Sequence, residues 1–159
     1  MSDVSNYEKL REETKRVYEQ VGRIYSPVFK QPVYFSTEGF NHFIYKRPRI
    51  EREKIVQITR FSLFSRATQL IGLSTTYQEY EELLKDVEIK MNKQRIWKRT
   101  RVQYWGLIAI LNRRKIKVII RKLGENGNMH FWSIIPDWKT SQYRDMRFFI
   151  TMSGNPEQD

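Results

Sequence analysis

The chain has no cysteine and only two histidines, His42 and His130. The first absence excludes disulfide staples, thiol nucleophiles and cysteine zinc sites, so stability must come from packing. With histidine so scarce and no carboxylate loop of the EF-hand type, neither a metal nor any other cofactor is expected. No apolar run approaches the roughly 18 residues of a membrane span. The opening "MSDVSNYEKLREE" lacks the apolar segment of a signal peptide, so the expectation is a soluble, cytoplasmic protein with no membrane association. A P-loop, a dinucleotide fingerprint and a hydrolase triad are missing too, as are internal repeats and low-complexity linkers.

What the chain has in excess is positive charge. Its 159 residues carry 29 Lys and Arg against 18 Asp and Glu, a formal charge of +11. So much self-repulsion is most simply explained by an anionic partner, and nucleic acid leads because the cations are dispersed over several segments. A basic membrane-binding helix would concentrate them on one face. The length suits one domain, expected over residues 1–152, with 153–159 as a frayed tail.

Residues Tyr7, Leu10, Val17, Tyr18, Val21, Ile24 and Tyr25 recur at helical spacing, which predicts an amphipathic helix over the first 25 residues, stopped by Pro27. "QPVYFS" is β-prone, and "TEGFNHFIYKRP" reads as a loop or short helical piece. Pro48 suits the first turn of a central helix whose apolar face runs from Ile55 to Ile71 before Gly72 ends it. A capping box at Thr76 and Glu79 predicts a third, acidic helix through Val87. Beyond residue 95 the β-branched and aromatic runs "RIWKRTRVQYWGLIAIL", "KIKVIIRK" and "MHFWSII" predict three antiparallel strands, and "MRFFITM" a fourth. The fold class is therefore α+β, with N-terminal helices packed on one face of a C-terminal antiparallel sheet and the other face free for substrate.

If the "LGENGN" turn pairs Lys122 with Met129, Arg121 faces His130, Ile119 faces Trp132 and Lys117 faces Ile134. Lys117, Arg121, His130 and Trp132 then share the exposed face, while Val118, Ile120, Phe131 and Ser133 turn toward the helices. In a helical turn His42 lies beside Lys46, with Arg47 and Arg49 behind it. Histidine can take a proton from a ribose 2′-hydroxyl or give one to a departing 5′-oxygen, and Lys and Arg stabilise the charge that builds on the phosphate. His42, His130, Lys46, Lys117 and Arg121 are the right residue types, and Trp132 is placed to stack on a base. Strand parity leaves Ser133 as a small, satisfied side chain.

The pieces "VYFSTEGFNHFIYKR", "YWGLIAILNRRKIKVIIRK" and "HFWSIIP", in this order, resemble phage and mobile-element members of the barnase/EndoU/colicin/RelE-like nuclease superfamily. The likeness spans roughly residues 31–138. It implies a helical N-terminal part, a curved antiparallel sheet and metal-independent endoribonuclease activity of a toxin or effector type. A cognate inhibitor or immunity protein becomes a candidate partner beside RNA. By the same resemblance His42, Lys46, Arg47, Arg121 and Ser133 carry the site, which conflicts with parity over Ser133. Three functions stand open: endoribonuclease, non-catalytic RNA- or DNA-binding protein, and an interaction module whose charge only confers solubility.

Overall fold

The computed structural model describes residues 4–111 and 113–136. The expected strand "MRFFITM", Trp138 and the tail from residue 153 lie outside the described residues. After a 3-10 turn at Val4–Asn6, α1 (Tyr7–Val21) buries Tyr7, Thr14 and Tyr18 on one stripe. It stops four residues short of the sequence expectation because Gly22 takes φ +66, a conformation that glycine adopts without a steric penalty. Ile24 and Tyr25 belong instead to β1 (Arg23–Ser26), which turns through Pro27–Lys30 into β2 (Gln31–Tyr34).

Ser36 caps α2 (Thr37–Ile44) by accepting a hydrogen bond from the Gly39 N–H. The helix ends before Lys46, so His42 and Lys46 are not one helical turn apart. Pro48 does not start a helix; it sits with Arg49, at φ +67, in the turn joining β3 (Tyr45–Arg47) to β4 (Ile50–Glu51). The expected central helix starts later, at Lys54, and breaks at Leu63 into α3 (Lys54–Ser62) and α4 (Phe64–Leu73), with Gly72 inside its last turn.

The largest departure is the expected acidic helix, which is a strand, β5 (Glu79–Met91). Leu83, Val87 and Ile89 alternate with Glu82, Leu84, Asp86 and Glu88, and burial follows that alternation of period two. Thirteen cross-strand pairs to β6 (Gln94–Leu111) then outweigh a local capping signal. With β7 (Arg114–Leu123) and β8 (His130–Pro136) they build the sheet β1-β2-β8-β7-β6-β5, antiparallel except where β2 runs parallel to β8. The protein is α+β, its helices N-terminal and its long strands C-terminal. No helix among the described residues is long and apolar enough to cross a membrane.

The main core joins the helices to one sheet face and includes Phe61, Phe64, Leu70, Val118, Ile120 and Phe131, the set expected from the sequence. Tyr18 stands among the rings of Phe35, Phe40, Phe64 and Phe131 at 5.2–6.1 Å, and its hydroxyl donates to the Ser36 carbonyl at 2.6 Å. That bond satisfies the one polar atom such a ring brings into a core. Contrary to expectation the second sheet face is not open. Val102, Tyr104 and Ile119 are fully buried there, with Leu83, Val87, Trp132 and Ile135 packed against them.

Candidate active site

One cavity of about 680 Å³ lies among α2, the β3–β4 hairpin, β5 and the β7–β8 pair. Six of the residues expected to form a site line it: His42, Lys46, Arg47, Arg49, Arg121 and Trp132. Glu38 and Lys85 line it as well, so five Lys and Arg side chains converge on a space with one carboxylate.

Each cation arrives for a local reason. The β3–β4 turn carries Lys46, Arg47 and Arg49 on an exposed two-stranded hairpin. Arg121 comes from the end of β7, where it pairs opposite His130 as the turn register predicts. Its guanidinium is almost fully buried, with Nε and Nη2 engaged. Nε donates to His130 Nε2 at 2.8 Å, Nη2 donates to the Glu38 carboxylate, and Cζ lies 3.6 Å from the centre of the Trp132 ring. These contacts fix a planar cation at the cavity wall, where lysine would offer only a point charge.

His42 stacks on the same Trp132 ring, with centroids 4.3 Å apart and planes 20° from parallel. Its Nε2 lies 3.2 Å from Arg52 Nη2, and Arg52 Nε donates to the His42 carbonyl at 3.0 Å. Arginine only donates, so Nε2 accepts and the proton of the neutral ring rests on Nδ1. Trp132 thus joins the histidine from α2 to the arginine from β7.

His130 has a different setting from the exposed one expected for it. It is 9% exposed, and its Nδ1 approaches the Asn128 carbonyl at 3.3 Å while Nε2 accepts from Arg121. Burial and, secondarily, the Arg121 charge hold its pKa down to about 4, so it is neutral at physiological pH. Both ring nitrogens are engaged, and Nε2 holds the Arg121 guanidinium.

Lys117 and Ser133 do not line the cavity. Lys117 is wholly buried and donates to Glu79 Oε1 at 2.8 Å, so it is part of the fold's interior and not of an exposed phosphate-binding face. The β7–β8 register slips by one between Ile119 and Ile120, pairing Ile119 with Ser133 and Lys117 with Ile135. This bulge moves the expected partners beyond Phe131 by one, while Phe131 still packs with the helices and Trp132 still faces the cavity side, as strand parity has them. Ser133 is buried and accepts from Arg60 Nη1 on α3 at 2.9 Å.

Sequence reasoning missed Glu38, Arg52 and Lys85. Glu38 had a signal, since it precedes His42 by four residues in what is now α2, and such a pair shares one helix face. Lys85 was assigned to a helix that does not form, and nothing local marks Arg52. In comparisons with known proteins, no family model matches the chain, and neither a curated protein nor a solved structure matches it significantly.

Proposed function

We propose that this protein is a metal-independent endoribonuclease whose RNA strand enters the cavity between α2, the β3–β4 hairpin and Arg121. The observation that carries the reading is the convergence of His42, Glu38 and five cations from separate parts of the chain on one cavity. Lys46, Arg47, Arg49 and Lys85 neutralise phosphates, and Arg121 stabilises the charge gained in the transition state. Glu38 accepts the proton of the attacking 2′-hydroxyl. An entering phosphate favours the imidazolium form of His42, in which Nε2 releases Arg52 and both ring nitrogens donate, and this form protonates the departing 5′-oxygen. Arg52 orients the His42 ring beforehand.

The products are then a 2′,3′-cyclic phosphate and a 5′-hydroxyl end. The purified protein incubated with RNA in chelator should yield those ends and leave DNA intact. His42→Ala should lower the rate by roughly 10²- to 10⁴-fold with RNA binding largely kept, and Glu38→Gln should behave similarly. Full activity in both variants would refute the assignment. A second reading, an RNA-binding protein without cleavage, is favoured by one observation: both histidine rings already accept from an arginine. It predicts salt-dependent RNA binding with no new ends.

A further inference from the structure

α2 turns one stripe of side chains toward the cavity. Glu38, Asn41, His42 and the C-cap residue Tyr45 are three and four positions apart, the spacing of one helix face, and all four line the space. The Tyr45 N–H donates to the Asn41 carbonyl, so these two stand one turn apart. The four divide by engagement. Glu38 accepts from Arg121, and His42 is held by Arg52 and stacks on Trp132. Among the described residues, no side-chain hydrogen bond or ring contact ties Asn41 or Tyr45 to the fold.

Both are costly or idle where they stand if the fold alone is considered. Asparagine is a weak helix former away from the caps, because its amide competes for backbone groups, and Asn41 lies inside α2 with its side chain exposed. The other rings of this segment, Phe40 and Phe43, pack on Tyr18 in the core. The Tyr45 ring is instead 39% exposed and lines the cavity. What the pair offers is a carboxamide, with a donor and an acceptor in one plane, beside an aromatic face.

We propose that Asn41 and Tyr45 form a base-reading subsite that selects RNA with adenosine on the 3′ side of the cut. The inference rests on RNA being the cavity's ligand and on Glu38 and His42 acting as the proposed function has them. Bases of a single strand are read by stacking on an aromatic ring and by hydrogen bonds to their edges. A carboxamide pairs bidentately with N6 and N7 of adenine. The order of residues along α2 sets the side of the cut. Glu38, which takes the 2′-hydroxyl proton of the upstream nucleotide, stands one turn before His42, which protonates the 5′-oxygen of the downstream one. Tyr45 comes nearly a turn after His42 and about two turns after Glu38, so its ring meets the downstream base.

The test uses oligouridines of roughly nine nucleotides with a single A, C or G at the centre, as RNA for cleavage and as the 2′-O-methyl form, which lacks the nucleophile, for binding. The wild type should cut mainly before the A, leaving 5′-hydroxyl fragments that begin with adenosine. It should bind the A analogue roughly 5- to 150-fold more tightly than the C analogue, the usual range for one bidentate base contact. Asn41→Ala should erase that preference, whereas Tyr45→Ala should weaken binding of every analogue and keep their order, because stacking is indifferent to sequence. Both side chains are exposed, and thermal melting checks each fold. Equal use of the four bases by the wild type, a preference that Asn41→Ala retains, or undiminished affinity in Tyr45→Ala would overturn the inference. A retained preference for G is the result expected if Arg47 or Arg49 reads the base instead. Binding without cleavage would sink the ribonuclease reading, and the Asn41→Ala comparison on the analogues would still decide the subsite. A wild type that binds none of the oligonucleotides would refute both.

Discussion

Acidification should unlatch the wall of the cavity through His130. The ring is buried, accepts a hydrogen bond from Arg121, and has its pKa held near 4 against an ordinary 6.5. A histidine whose folded pKa is depressed stays neutral in the native state while the unfolded chain takes up a proton. Its contribution to stability is therefore intact above pH 6.5 and is lost as pH falls from there toward 4. Each pH unit between the two pKa values is worth ~1.4 kcal/mol, so the loss should reach about 2 kcal/mol by pH 5 and about 3 kcal/mol near pH 4. Against a typical domain stability of roughly 5–15 kcal/mol, that is a large fraction. Urea unfolding at a series of pH values from 7 to 4.5 should give a free energy that falls faster in the wild type than in His130→Gln. Glutamine keeps an acceptor for Arg121 but does not titrate, so the difference between the curves isolates this ring from the carboxylates. Parallel curves would refute the reasoning and mean that His130 is protonated in the native state or is not sealed from water.

Three further outcomes follow from single contacts. Arg121→Lys keeps the charge but cannot hold His130, Glu38 and the Trp132 face together, and RNA cleavage should drop at least about tenfold with little change in binding. Gly39→Ala would drive a methyl group into the Tyr18 hydroxyl and the Phe131 carbonyl, costing about 3 kcal/mol by chemical denaturation if α2 cannot shift. Lys117→Met leaves Glu79 buried without its cation and should cost roughly 3–5 kcal/mol; adding Glu79→Gln should recover part of it.

The sequence by itself determined the α+β class, three C-terminal strands and six members of the main core, because apolar periodicity and β-branched runs are local signals that burial then obeys. It also made six cavity residues nameable, since His42, Lys46, Arg47 and Arg49 are neighbours in the chain and the turn register pairs Arg121 with His130. Even β5 was legible in part, since Leu83, Val87 and Ile89 alternate with Glu82, Asp86 and Glu88; the Thr76/Glu79 capping signal obscured it. Tertiary structure alone decided which cations meet solvent. Lys117 on β7 and Lys85 on β5 both alternate with apolar strand residues on either side of β6, yet one is sealed against Glu79 and the other lines the cavity. A one-residue bulge changed the partner of Ser133 without any residue that marks it. Stacking of His42 and Arg121 on Trp132 joins α2, β7 and β8, and such long-range packing depends on how elements approach one another, which no local pattern encodes.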